Sequence, residues 1–505
     1  MSARPSLPAL HRPPSGAWSP IVAWGFVVAV ASAAFANAAA YIAEDGNPLV
    51  SSDAWYFVES FLRKAVEHGP SFQDFFAKRD GLDHAQPLGK LLLLANAQWF
   101  GLDFVFEALA GLAFAALTFL VLLGSTRGAR REQPWWLWAL GAGTLAAVLV
   151  TLNSGMVYNW SLVTLIFMAY FMAVSGAAIA WRSLVAGRYL ALFLVSLAIA
   201  FCFDDVALLI AAALVIATCA AAAKSGRMRA GIVASVVIIA AEVCYFVAGR
   251  TLLATGTGGG ANGSIASHLG ALWDMRDQWL VIARVVFGST LAHVNQILYY
   301  RPDGLVATQA VLAILAGLAH LWFWWRAWRG HWNMAVFQAV VVMLLFYASI
   351  AGILYGRIPT YGVNYLNEPR YVAIYLLSNV ALVMMLLGQP GKTRKAGWRW
   401  AAGICLAALL ALQVPLSRFT WYEGSFLFHY YHEMAHEMIE LGNDSMPASC
   451  VPLLTVCAMA PPERKEVVDF LRRHELNVYS DAFLARYRLE KLAAPEPAPA
   501  TRQDR

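Results

Sequence analysis

Residues that could do chemistry are few in this 505-residue chain, because 13% of its residues are charged and 60% are hydrophobic. Asp53 follows a long apolar run and precedes apolar residues at helical spacing. A carboxylate at such a position can accept a proton from an attacking hydroxyl group. It can equally cap the amino end of the helix that follows it. Asp53 is therefore a candidate general base, with an N-cap as the structural alternative.

Further polar residues surround other apolar runs. A guanidinium binds phosphate oxygens through parallel N–H groups, so Arg357 and Arg370 indicate a phosphate site or, alternatively, interface anchors beside Tyr371. Adjacent carboxylates such as Asp204 and Asp205 repel each other unless a cation pairs with them or the turn is solvated. The candidate substrate- and phosphate-binding residues are Arg79, Asp83, His84, Gln86, Lys90, Asp204, Asp205, Arg357, Glu368, Arg370 and Tyr371.

The segment His432-Glu433-Met434-Ala435-His436 has the H-E-x-x-H spacing of zinc peptidases. On a helix both histidines would share one face and could hold one metal ion. The flanking aromatic and methionine residues instead favour an amphipathic helix whose solvated face carries these polar groups. We therefore assign no metal site and keep His432 and His436 as secondary candidates.

The composition also determines the class of protein. Soluble domains are about 45–50% apolar and about 25% charged, and the mean hydropathy of this chain is +0.56. A soluble enzyme with one core and a disordered chain are both excluded. The net charge of +6 does not indicate a nucleic-acid partner, because the basic residues lie in short clusters between apolar runs.

Membrane spans need about 20 mostly apolar residues, and helices satisfy their own backbone groups in lipid. The sequence predicts an all-α polytopic membrane protein with about 11 (10–13) transmembrane helices. Segments 86–100 and 280–300 are apolar but carry polar residues, and they could be extra crossings, re-entrant pieces or surface helices. The predicted spans are 20–43, 103–124, 134–152, 160–181, 189–203, 206–223, 230–249, 304–325, 334–356, 371–389 and 399–416.

Lysine and arginine clusters precede the first span and follow every second span, which predicts a cytoplasmic amino terminus and an outer carboxyl terminus. These basic residues are Arg4, Arg12, Arg127, Arg130, Arg131, Arg182, Arg188, Lys224, Arg227, Arg229, Arg326, Arg329, Lys392, Arg394, Lys395 and Arg399. The predicted organisation is a cytoplasmic segment 1–19, a bundle 20–416 with a first outer loop 44–102, an outer helical segment 417–492 and a disordered tail 493–505.

The predicted outer regions contain an amphipathic helix and a candidate disulfide. Trp55, Phe57, Val58, Phe61, Leu62 and Val66 have near-helical spacing, which predicts an amphipathic helix with its apolar side in the headgroup region. Cys450 and Cys457 both fall in the outer segment, where an oxidising compartment makes a disulfide between them plausible.

Residues 20–125 resemble the GT-C superfamily of membrane glycosyltransferases, which includes lipid A aminoarabinose transferases and protein mannosyltransferases. The resemblance rests on Asp53 in the first outer loop, then His84-Ala-Gln86-Pro87-Leu88-Gly-Lys90 and Trp99-Phe100-Gly101-Leu102-Asp103. Many relatives have paired acids where this chain has Asp53-Ala54, and Lys-Pro-Pro-Leu where it has Ala-Gln-Pro-Leu. Because of these departures, the resemblance does not identify the sugar that is transferred or decide whether a divalent metal is required.

The resemblance implies a bacterial inner-membrane enzyme that moves a sugar from a polyprenyl-phosphate donor to a lipid, glycan or protein acceptor on the periplasmic face. Asp53 would be the base in an inverting displacement, and Arg370, Arg357 or Lys90 would meet the charge of the departing phosphate. The expected partners are the lipid-linked donor, membrane lipids and the acceptor. One alternative is a transporter or flippase for lipid-linked sugars, which would need polar residues deep in the bundle; Glu242 in the seventh span is such a residue. The other alternative is a zinc peptidase.

Overall fold

The computed structural model describes residues 19–78, 85–160, 163–251, 265–389, 396–443, 445–447 and 450–489, and within these ranges it contains helices and irregular segments but no strand. The basic residues Arg4, Arg12, Lys392, Arg394 and Lys395 and the predicted tail 493–505 lie outside the described residues. In chain order the α-helices are α1 Ser19–Asp45, α2 Ala54–Phe57, α3 Arg63–His68, α4 Pro87–Phe100, α5 Phe104–Ser125, α6 Arg127–Arg130, α7 Trp135–Leu149, α8 Met156–Asn159, α9 Val163–Ala186, α10 Tyr189–Phe203, α11 Asp205–Ser225, α12 Met228–Thr251, α13 Ile265–Asp274, α14 Trp279–Ser289, α15 Val294–Tyr300, α16 Leu305–Arg329, α17 Met334–Gly356, α18 Ile358–Tyr361, α19 Val372–Gly388, α20 Ala396–Gly442, α21 Pro461–Arg473 and α22 Asp481–Tyr487.

The expectation of an all-helical membrane protein is confirmed. Nine of the described helices are long and apolar enough to cross a membrane. Each of the eleven predicted spans coincides with a helix, and the two that fall outside the nine are α7 and α10, with 15 residues each. At 1.5 Å per residue these two helices extend about 22 Å, which is less than the roughly 30 Å of a hydrocarbon core. That both of them cross the bilayer stays a prediction.

The basic loops meet at one end of the bundle, called here the basic end. The carbonyl of Gln389, after α19, accepts a hydrogen bond from Gln133 of the α6–α7 loop at 2.6 Å. The side chain of Gln389 accepts another from Arg326 of α16. Lys224, at the end of α11, donates to the carbonyl of Trp328 near the end of α16. These contacts bring together loops that the sequence assigns to one side of the membrane.

The two interrupted apolar segments differ from each other in the structure. Residues 87–100 form the continuous helix α4, whereas Arg276–Ser289 and Val294–Tyr300 form a broken pair bent by 79°. At the break, the side-chain amide of Asn379 donates to the carbonyl of Thr290, and the backbone N–H of His293 donates to Oδ1 of Asn153 at 2.9 Å. Such internal partners are what a non-helical backbone requires at membrane depth.

The opposite end of the bundle, called here the capped end, contains a second hydrophobic core. Trp55, Val58, Phe61 and Leu62 are at most 2% exposed, and they pack with α4, the end of α20 and residues 451–489. The prediction that these side chains lie in the headgroup region is therefore wrong, because protein covers them. Residues 450–489 are called the cap.

The helix α20 links the bundle to this second core. It runs from Ala396 to Gly442 without interruption and contains Pro415. The predicted boundary between residues 416 and 417 therefore lies inside one helix. Tyr431, Met434 and Met438 of its last turns are at most 4% exposed within the second core.

Hydrogen bonds from Asn477 join the cap to the first outer loop. The Asn477 side chain is fully buried and donates to the carbonyls of Pro48 at 3.0 Å and Leu102 at 2.7 Å. Its backbone N–H donates to the carbonyl of Gly101 at 2.9 Å. Its φ of 54° is left-handed, a conformation that asparagine tolerates better than most residues.

We expect Asn477→Ala to destabilise the docked cap by about 2 kcal/mol, because two buried carbonyls would lose their donors. Thermal unfolding in detergent should show a lower Tm, and limited proteolysis should cut the cap sooner. The exposed Asn364 provides the control Asn364→Ala, which should leave both readouts unchanged. An unchanged Tm for Asn477→Ala would contradict this account of the cap.

Candidate functional site

Asp53 lies at the capped end with its side chain exposed. It immediately precedes α2, but its carboxylate accepts no capping hydrogen bond from that helix. The N-cap interpretation is therefore wrong. The preceding residue, Ser52, has a φ of 49°, and Gln86 and Asp204 also have positive φ values at this end of the bundle. Residues held in such sparsely populated conformations concentrate at functional sites.

A chain of amide contacts connects the Asp53 loop to Arg370. The side chain of Asn47 donates to the hydroxyl of Ser51 at 3.0 Å, and the backbone N–H of Asn47 donates to Oδ1 of Asn159 at 3.2 Å. Asn159 is followed by Trp160, whose ring lies 4.2 Å from the guanidinium carbon of Arg370. The loop between α7 and α9 therefore contacts both the Asp53 loop and Arg370.

Arg370 is held among aromatic rings. Besides Trp160, its guanidinium carbon lies 5.7 Å from the ring of Tyr365 and 5.6 Å from the ring of Tyr371, and it donates to the hydroxyl of Tyr365. Cation–π contacts stabilise an arginine in this position and leave N–H groups at its edge for an anion.

Among the described residues, Arg370 and Asp53 are each without an ion pair. Arg357 is exposed before α18, Glu368 is half-buried and Tyr371 is 9% exposed.

Asp204 holds the segment that precedes α4. One of its carboxylate oxygens accepts hydrogen bonds from the backbone N–H of Ala85 at 3.0 Å and from Lys78 at 3.1 Å, and the other accepts from the hydroxyl of Tyr245 at 2.9 Å. Asp205 lies 3.6 Å from the same lysine. Burial disfavours the Lys78 ammonium, but the two aspartates outweigh it and raise the pKa of Lys78. Lys78 is thus the cation that the adjacent acids required.

Lys90 also holds the outer loop. It is 3% exposed, and its ammonium donates to the carbonyls of Asp74 at 2.9 Å and Ala77 at 2.6 Å. Burial lowers the pKa of Lys90 to about 8, and the nearby Asp74 and Asp204 limit this decrease. Gln86 precedes α4, and its buried side-chain oxygen has no hydrogen-bond partner among the residues that the structure describes. Arg79, Asp83 and His84 lie outside the described residues.

A group of polar residues that was not predicted from the sequence lies where the middle of α20 passes the carboxyl end of α1. Asp45 packs directly on Gly424, where a Cβ would collide with its carboxylate. Asp45 and Glu423 both lie near Tyr41. Tyr41 accepts a hydrogen bond from Asn159 at 3.2 Å nearby. The acids Glu44 and Asp45 at the end of the first span were a signal in the sequence, but Glu423 lay beyond the predicted end of its span.

The H-E-x-x-H segment lies in the last turns of α20, with His436 exposed and His432 half-buried. The ring of His432 packs on Phe428, with 4.4 Å between centroids, and Nδ1 of His436 lies 3.5 Å from Glu440. In the part of the chain that the structure describes, no group of three or more His, Cys, Asp or Glu residues could hold a metal ion.

In the cap, Cys450 and Cys457 form a disulfide.

The chain is an all-helical polytopic membrane protein with a capped polar end. No protein-family model matches it, and no curated protein matches its sequence. Among solved structures it is similar to ArnT from Cupriavidus metallidurans bound to undecaprenyl phosphate, with a TM-score of 0.41 and 14% identity over 95% of this chain and 77% of that chain.

We expect Asp204→Asn to destabilise the protein by about 2 kcal/mol, because the half-buried Lys78 ammonium would lose its closest carboxylate. Tryptic cleavage after Lys78 should become faster, since the amide keeps one oxygen for the three groups, Lys78, the Ala85 N–H and Tyr245, that donate to Asp204. Asp205→Asn is the matched control, because Asp205 is half exposed and farther from Lys78. Equal cleavage rates and Tm values for the two variants would contradict the anchoring role of Asp204.

Proposed function

We propose that the protein is a membrane glycosyltransferase that moves a sugar from a polyprenyl-phosphate donor to an acceptor at the capped end. The observation that carries this proposal is an exposed carboxylate and a guanidinium at one end of the bundle, each without an ion pair among the described residues. The Asn47–Asn159 contacts and the stacking of Trp160 on Arg370 fix the two loops relative to each other.

The proposed chemistry is a single displacement. The acceptor oxygen attacks the anomeric carbon while the bond from that carbon to the phosphate oxygen breaks, and the acceptor proton passes to the Asp53 carboxylate. The departing lipid phosphate gains negative charge, which the Arg370 guanidinium stabilises through its N–H groups. Attack opposite the leaving group inverts the configuration at the anomeric carbon.

The surroundings of the capped end support a lipid-linked donor. The aromatic residues Tyr299, Tyr300 and Tyr422 are exposed where α15 contacts the middle of α20, and such residues are typical of the membrane–water interface. His293, which precedes α15, contacts the carbonyl of Asn367, three residues before Arg370, and we propose that Arg370 lies at the depth of a lipid phosphate. The basic loops at the other end favour a cytoplasmic basic end and a periplasmic capped end. We propose a donor of the lipid class to which the similar ArnT structure is bound.

We expect Asp53→Asn to lower kcat at least about 100-fold, because the amide cannot accept the acceptor proton. The assay follows a radiolabelled sugar from a polyprenyl-phosphate donor into the cell-envelope fraction. Asp303→Asn is the control, since Asp303 is also an exposed carboxylate and follows the broken helix pair α14–α15. Full turnover by Asp53→Asn at normal protein levels would rule out its role as the base.

We expect Arg370→Lys to raise the KM for the donor about tenfold, because an ammonium keeps the charge but loses the planar, two-pronged contact with phosphate and the stacking on Trp160. Arg370→Gln should also lower kcat, since the departing phosphate would lose its cation. Arg301→Lys, at an exposed arginine, should change neither constant. Identical donor KM values for Arg370→Lys and the unaltered protein would contradict the phosphate role.

A further inference from the structure

We infer that the loop closed by the Cys450–Cys457 disulfide positions the backbone of Asp53. This inference rests on the proposed function for the role of Asp53, while the contacts that support it are independent of any activity. The loop belongs to the cap, about 400 residues away from Asp53 in the sequence.

Two hydrogen bonds from this loop hold Ser52 on both sides. The backbone N–H of Ser52 donates to the carbonyl of Leu453 at 2.8 Å, and the hydroxyl of Thr455 donates to the carbonyl of Ser52 at 2.7 Å. That carbonyl belongs to the peptide that joins Ser52 to Asp53. A serine with a φ of 49° needs such external support, because the left-handed region costs a non-glycine residue free energy.

The loop is itself fixed to the end of α20. The backbone N–H of Val451 donates to Glu437 at 2.9 Å, and the N–H of Leu453 donates to the hydroxyl of Tyr430 at 3.1 Å. The side chains of Leu454 and Val456 are at most 1% exposed and belong to the same core as Ala54 and Trp55. The loop therefore transmits the position of a long bundle helix to the residue that precedes Asp53.

The disulfide closes this loop at its ends. A dithiol reductant supplies two electrons and two protons, which convert the disulfide into two thiols and open the covalent ring. Cys450 is exposed, so the reductant can reach the bond. In the reduced loop the covalent restraint on Leu453 and Thr455 is lost, and the contacts with α20 and the core alone hold them beside Ser52. Thr455 is thus a positioning residue, and the site depends on an oxidised cap.

Hydrogen–deuterium exchange of the full-length protein in detergent tests the role of Thr455. The turn N–H groups of Ala54, Trp55 and Tyr56 bond to residues 51–53, so they report the conformation of this segment. Thr455→Val should speed their exchange roughly fivefold to tenfold, the loss expected for one buried hydrogen bond, and Thr455→Ser should restore it. Thr118→Val removes a comparable hydroxyl within α5 and should leave this exchange unchanged.

Removal of the disulfide tests the covalent part. Cys450→Ser/Cys457→Ser, or dithiothreitol on the unaltered protein, should speed exchange over residues 52–57 but not over α19, which reports the integrity of the bundle. In transfer assays these proteins and Thr455→Val should lose kcat with the donor KM retained, since Arg370 is untouched. Unchanged exchange over residues 52–57 in both Thr455→Val and the double variant overturns the inference. Faster exchange together with full activity of Asp53→Asn would instead uphold the positioning and overturn the proposed function.

Discussion

Burial of an outer apolar surface by the cap is the interaction on which the capped end depends. Residues 54–66 have a strongly apolar face that includes Trp55 and Phe61. This face packs against α4, α20 and the cap rather than against lipid. The helix α20 continues from the bundle into this core. Contacts with α20 therefore hold the outer loop in place, in addition to its two covalent connections to the bundle. A polar active group on that loop can then have a defined position above the membrane.

The charges at the capped end divide into two groups. Asp204 with Lys78, and Asp103 with Arg486 at 2.7 Å, are paired across elements that are distant in sequence. Removing one partner of such a pair is costly, so these residues hold loops in place. Asp53 and Arg370 have no ion pair in the described part of the chain, and aromatic stacking rather than a carboxylate holds Arg370. This second group can interact with a substrate.

Much of the fold could be predicted because lipid imposes simple rules. Long apolar runs must be helical, so every predicted span coincides with a helix, and lysines and arginines identified loops such as those of Gln133 and Lys224 that meet at one end. The partners of Asp204 and Lys90 could not be predicted, since they depend on contacts across the fold. Trp55 was assigned to the membrane surface because an amphipathic pattern looks the same against lipid and against a protein cap. Asp45 and Glu423 were missed because only the packing of α1 on α20 brings both of them near Tyr41.

The central claim is that the capped end receives the phosphate of a lipid-linked sugar. Photocrosslinking with a benzophenone-bearing polyprenyl phosphate, followed by peptide mapping, measures this most directly. The account predicts crosslinks within residues 46–78 and 357–371 that excess undecaprenyl phosphate removes. Crosslinks confined to the basic end, or crosslinks that do not respond to the competitor, would contradict it.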